Sequence, residues 1–145
     1  MKFSLKLLGI TAFMASAVLV SCKKNSDEPV TQSYKADANG STQLPSNAST
    51  ATATFNGTYN SDTKTFSGTV TYSGITPTGW NIERGTATTK GSLVVSLGAV
   101  VVSPLNFSVT LDAAAEAELK AGDYYINVTS AAYPAGEIRG KIVMN

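Results

Sequence analysis

Apolar and polar residues alternate strictly along two neighbouring parts of the chain, residues 50–59 and residues 65–72. A period of two places successive side chains on opposite faces, which is typical of β-strands with one buried and one solvated face. The apolar set of the first part includes Ala51, Phe55 and Tyr59. Because a short polar sequence, Asn-Ser-Asp, separates the two parts, we predict a β-hairpin.

Further runs of the same kind follow along the chain, and one more strand is predicted before the hairpin. The predicted strands outside the hairpin cover residues 33–38, 80–87, 91–97, 106–111, 123–129 and 138–144. Eight short strands separated by turn signals indicate an all-β fold, either a β-sandwich or a Greek-key barrel.

Residues 112–122 break this alternation and predict a short helix. Asp112 is a favourable N-cap residue, strong helix formers follow it, and Gly122 is a typical helix stop. A helix at this place would act as a crossover connection that carries the chain from one sheet to another.

The N-terminus has the pattern of an export signal. Lys2 and Lys6 precede an apolar stretch over residues 7–20, which is too short to span a bilayer as a permanent helix. The sequence Leu-Val-Ser-Cys that ends at Cys22 resembles the lipobox of bacterial lipoproteins. This resemblance implies that residues 1–21 are a signal peptide and that Cys22 is lipidated and becomes the new N-terminus.

Acyl chains on Cys22 would hold the mature protein in the membrane of the cell envelope. Residues 22–32 are polar and lack periodicity, so we expect a flexible tether followed by one domain over residues 33–145. Lys23, rather than an aspartate, follows the cysteine, which favours the outer membrane in a Gram-negative cell. Whether the domain faces the periplasm or the outside is left open, and a plain secretory signal with a coincidental cysteine is the alternative.

The amino-acid composition argues against several classes of function. The 145 residues include no histidine and one cysteine, with 11 basic and 10 acidic residues. Histidine is the commonest general base and a common metal ligand, so most catalytic and metal-binding arrangements lack a central residue. A balanced charge gives no electrostatic reason to expect a nucleic acid as partner. We therefore predict no catalytic residues, no cofactor and no nucleic-acid binding.

The C-terminal part of the sequence resembles a known family. Residues 119–142, LKAGDYYINVTSAAYPAGEIRGKI, are similar to the closing motif of the CHRD domain, named for chordin. GSTQLP at residues 40–45 and VTYSGI at residues 70–75 resemble its opening and central motifs. The resemblance implies an immunoglobulin-like β-sandwich over residues 33–145, with no established enzymatic activity.

The chain departs from the family pattern at four positions. Two of the family's histidines, in a His-Ile-His motif, are replaced by Asn81 and Glu83, a third by Thr129, and the opening glutamate by Gln43. The resemblance implies a metal or ligand site at these positions that has been altered here. The alternative is that they are separate hydrogen-bonding positions on the surface. In either case we expect no transition metal to bind there.

Two further sets of residues are candidates for a site. Glu137 and Arg139 fall on one face of the last strand, where they predict a structural ion pair or the protection of an edge strand. The alternative is that Arg139 binds an anion. Trp80, Tyr125 and Tyr133 would form a carbohydrate-binding platform if they shared an outer face.

These observations together predict a membrane-anchored, non-catalytic lipoprotein of the envelope. Its CHRD-like domain would act as a binding or structural module, with a protein or a carbohydrate as ligand. The alternative is a degenerate member of a metal-binding, hydrolytic or redox β-sandwich family.

Overall fold

A computed structural model describes residues 30–98 and 102–145. The predicted signal peptide and Cys22 lie outside the described residues. The strands are β1 Thr31–Asn39, β2 Thr52–Asn60, β3 Thr65–Ser73, β4 Pro77–Arg84, β5 Leu93–Gly98, β6 Leu105–Thr110, β7 Tyr124–Ser130, β8 Ile138–Lys141 and β9 Val143–Met144. A 3-10 turn covers Gly40–Thr42, and the helix α1 covers Ala113–Ala121.

The strands form one antiparallel sheet in the order β5-β4-β7-β8-β1-β2-β3-β6, and β9 pairs with β1. The prediction of an all-β fold with a single α-helix is confirmed for the described residues, and the predicted hairpin is β2–β3. The helix α1 connects β6, at one end of this strand order, with β7, which lies towards the other end.

The sheet curls around a common core. Tyr72 of β3 and Trp80 of β4 are far apart in the strand order, yet their ring centroids lie 5.2 Å apart. The two ends of the sheet also approach each other, since Val94 of β5 and Val109 of β6 line one cavity together with Ala115 of α1. The described strands therefore form a nearly closed sheet, and the helix lies beside the remaining gap.

The alternation seen in the sequence decides which side chains enter this core. Phe55 is 1 % exposed, and its ring lies 5.6 Å from that of Phe66 and 5.7 Å from that of Phe107. Gly57 and Gly68 leave room for this ring, because a Cβ atom at either position would lie 2.3 Å from it. The hairpin therefore packs an aromatic cluster over two residues that have no side chain.

Helix α1 begins and ends as the sequence predicts. The Asp112 side chain accepts a hydrogen bond of 2.8 Å from the backbone N–H of Ala115, and Gly122 ends the helix with φ of 74°. Leu119 is the buried residue of the helix. Across the described parts of the chain, no helix combines the length and apolarity that a membrane span requires.

Charged side chains connect the helix to the sheet. Glu116 contacts Lys64 of the β2–β3 turn at 2.9 Å and Lys120 at 3.1 Å. Glu118 contacts Arg84 of β4 at 2.7 Å. The two glutamates thus join α1 to the β2–β3 turn and to β4.

The ion pairs of Glu116 should make stability depend on pH in the acid range. Hydrogen bonds from Lys64 and Lys120 lower the pKa of Glu116 from 4.5 to about 2. Because the folded protein favours the charged carboxylate, this contribution is present above pH 4.5 and is lost as the pH falls towards 2. Chemical denaturation of the wild type and of Glu116→Gln at pH 7 and below should show a flatter decline for the variant. Parallel declines would contradict the expectation.

Candidate functional site

Strands β4, β7 and β8 lie side by side and bring polar residues into register. Asn81 pairs with Asn127, which pairs with Arg139, and Tyr125 pairs with Glu83 on one side and with Lys141 on the other. Asn127, Tyr125 and Arg139 are each at least 95 % buried. This polar face of the sheet is therefore covered by loops and is not open to solvent.

Asn127 connects two of the altered family positions. Its amide oxygen accepts a hydrogen bond of 2.9 Å from Gln43 Nε2, and its Nδ2 donates one of 2.8 Å to Glu83 Oε1. Gln43 is itself buried, in the loop that follows β1. Three side chains from a loop and two strands thus form one chain of hydrogen bonds.

The Glu83 carboxylate is the centre of this network. Besides the hydrogen bond from Asn127, the carboxylate accepts one of 2.7 Å from the Tyr125 hydroxyl and one of 3.5 Å from Asn81 Nδ2. Burial and the bond to Glu83 raise the pKa of Tyr125, so this phenol stays protonated and remains a donor. Three of the four altered positions therefore converge, and Asn127, which the sequence analysis did not name as a site residue, holds them together.

Thr129 lies outside this network. Its hydroxyl is 3.1 Å from that of Thr78 and donates a hydrogen bond of 3.3 Å to the carbonyl oxygen of Gly79. The fourth altered position therefore belongs to a separate contact between β4 and β7.

The residues at the altered positions do not fit a transition metal. The potential ligands are one carboxylate, amide oxygens and a hydroxyl, which are poor ligands for zinc or copper. Glu83 and Asn127 moreover use their oxygens to accept hydrogen bonds from neighbouring side chains. Within the described residues, no three His, Cys, Asp or Glu side chains are placed to share a metal ion.

Glu137 and Arg139 have other partners than the ones predicted. Glu137 Oε1 accepts a hydrogen bond of 2.6 Å from the Ser49 hydroxyl, and Arg139 Nη2 donates to the backbone oxygens of Thr86 and, at 3.1 Å, Thr89. The predicted ion pair between the two side chains is therefore not formed. The predicted edge strand is also wrong, because β8 lies between β7 and β1.

The guanidinium of Arg139 is almost completely buried. It stacks over the ring of Tyr125, with its carbon 3.6 Å from the ring centroid, and the residue is 4 % exposed. Its Nη1 atom is buried and has no hydrogen-bond partner. A buried cation that forms no ion pair is unusual, because its desolvation is costly.

Arg139 lies in the wall of a groove of about 400 Å³ between two loops. One loop follows β1 and the other follows β4. The groove is lined by Ser41, Thr42, Gln43, Leu44, Ser46, Gly85, Thr86, Ala87, Tyr125, Arg139 and Lys141. Of the residues in these two loops, the sequence pointed only to Gln43, because serine and threonine residues give no signal in a chain rich in both.

The predicted aromatic platform is not formed. Trp80 is 1 % exposed and lies in the core, and Arg139 covers the ring of Tyr125. Tyr133 is 37 % exposed in a separate loop. The position of Trp80 follows from the sequence, because it shares a face with Ile82 when Asn81 and Glu83 lie on the other.

Comparisons with known proteins agree with the motifs in the sequence. No curated protein and no solved structure matches the chain. The CHRD domain model, however, matches residues 34–142, which include the loop of Gln43, the strands of the polar network and Arg139. This match covers most of the 145 residues and the whole groove, and the chain therefore belongs to the CHRD domain family.

Proposed function

We propose that the protein is an exported lipoprotein, anchored by Cys22 to the cell envelope, and that its CHRD domain is a non-catalytic binding module. In a Gram-negative cell, the membrane would be the outer membrane. The observation that supports a binding role is the groove, whose wall includes a buried Arg139 with an unpartnered nitrogen. CHRD is a non-enzymatic domain family, which agrees with a module that binds without reacting.

The direction of β1 supports a binding surface that points away from the membrane. The described chain begins at Val30, next to the first residue of β1, and Arg139 pairs with Asn39 at the other end of this strand. Nine residues of strand span about 30 Å. An anchor at Cys22 would therefore leave the groove at the end of β1 that is farther from the lipid.

We also propose that the curled sheet is the immunoglobulin-like sandwich implied by the family resemblance. The contact between Tyr72 and Trp80 supports two layers that face each other across the core.

The anchor is tested by Cys22→Ser. Serine cannot form the thioether to a lipid, so we expect the variant to keep an uncleaved or alternatively cleaved signal and to lose incorporation of radiolabelled palmitate. The wild type should incorporate the label and sediment with the membranes. Label on the serine variant, or an unlabelled wild type, would contradict lipidation at Cys22.

The binding role is tested with a photoreactive amino acid at single positions of the full anchored chain in living cells. Ala87 lies in the wall of the groove, and Ala117 is another exposed alanine, on α1, that serves as the control. We expect covalent adducts from position 87 and not from position 117. The absence of adducts at position 87, or equal adducts at both, would contradict a ligand in the groove.

A further inference from the structure

The charges in the groove wall are all of one sign. Arg139 and Lys141 are the basic residues of the lining, and among the described residues that line it none is acidic. The Lys141 side chain is exposed and forms no ion pair or hydrogen bond with a described residue. The nearby Glu83 carboxylate is not part of the lining. It accepts a hydrogen bond from the hydroxyl of Tyr125, and the ring of Tyr125 stacks on the Arg139 guanidinium. The groove therefore offers two positive charges to a ligand.

The remaining lining is rich in hydroxyl groups. Ser41, Thr42, Ser46 and Thr86 supply side-chain hydroxyls, which can donate and accept hydrogen bonds. Leu44 adds an apolar contact. Because Arg139 covers the Tyr125 ring, this ring is not available to stack against a neutral sugar.

We propose that the groove binds the carboxylate of a sugar acid, such as a uronic acid unit of an acidic polysaccharide. This inference rests on the proposed binding function and names the chemical class of its ligand. The guanidinium of Arg139 and the ammonium of Lys141, the two basic groups of the lining, recognise the carboxylate, since charged groups form the strongest hydrogen bonds. The hydroxyl-bearing side chains bind the sugar hydroxyls.

Arg139 cannot be tested simply by removal, because its guanidinium also fixes the loop after β4 through Thr86 and Thr89. Lys141→Gln is the sharper variant, since an exposed side chain can be shortened without unfolding the sheet. Lys35→Gln is the matched control, with the same change of charge on an exposed residue outside the groove lining.

The probes are glucuronate, glucose and inorganic phosphate, each titrated into the detergent-purified full chain. We expect glucuronate to bind at least about ten-fold more tightly than glucose, which corresponds to one charge-assisted interaction. Lys141→Gln should weaken glucuronate binding by about three- to ten-fold, and Lys35→Gln should not change it.

Each other result would overturn the proposed ligand class. Equal binding of glucose would show that the charges do not select a carboxylate, and tighter binding of phosphate would show a site for a different anion. No binding of glucuronate, together with adducts at position 87 in cells, would leave the binding function standing and exclude the sugar acid. No adducts at position 87 would instead contradict the binding function itself.

Discussion

Phe55→Ala is expected to lower the free energy of unfolding by about 3–5 kcal/mol. The ring of Phe55 is 1 % exposed, contacts Phe66 and Phe107, and fills the space above Gly57 and Gly68. Removing it leaves a cavity that neither glycine can fill, because neither has a side chain. Urea or guanidinium denaturation followed by fluorescence or circular dichroism measures the difference.

The matched control for this prediction is Thr54→Ser. Thr54 is the exposed neighbour of Phe55 on β2, and its change should cost less than about 1 kcal/mol. Typical domains are stable by about 5–15 kcal/mol, so the alanine variant should also melt at a clearly lower temperature. A loss below about 1 kcal/mol at Phe55 would show that the aromatic cluster is not packed as described.

Asn127→Leu is expected to lower the free energy of unfolding by about 3–5 kcal/mol, although leucine has a similar size and is apolar. The change removes the acceptor of the buried Gln43 Nε2 and a donor to the half-buried Glu83 carboxylate. Leaving a buried polar group unpaired costs about 1–3 kcal/mol, and more when the group is charged. Equilibrium denaturation again gives the measurement.

Thr129→Val is the control for Asn127→Leu, because Thr129 lies two residues along the same strand and outside the network. It removes weaker, half-buried hydrogen bonds and should cost less than about 1.5 kcal/mol. Because Gln43 lines the groove, Asn127→Leu should also reduce adduct formation at Ala87, whereas Thr129→Val should not. Equal losses of stability in the two variants would contradict the central place of Asn127.

Local patterns were enough to predict the hairpin and the helix. The alternation around Phe55 identifies the strand and its buried face, and Asp112 and Gly122 mark the helix ends, because each signal acts between residues close in sequence. The same reasoning from local pattern predicted that the strand of Glu137 and Arg139 lies at an edge of the sheet, and this prediction was wrong. The strand β8 lies between β7 and β1, and no local pattern specifies such a distant pairing.

The candidate site was predictable only in part. Family motifs pointed to Gln43, Asn81 and Glu83, which do converge, but the burial of Asn127 and Arg139 depends on loops that cover the sheet. A polar residue in a strand is ordinarily assigned to a solvated face. Only the tertiary placement of the loops after β1 and β4 reveals that this face is enclosed and forms a groove.

The central place of β1 also governs when the protein can fold. One neighbour of β1 is β2, which follows it closely in sequence, but the other neighbours, β8 and β9, are the last strands of the chain. Contacts between such distant segments slow folding, because a long loop must close before they form. The hairpin can form during synthesis, whereas the complete sheet must wait until Arg139 and the residues after it have been made. The complete sheet therefore depends on a pairing between the first and the last described strands, which the local formation of a hairpin cannot replace.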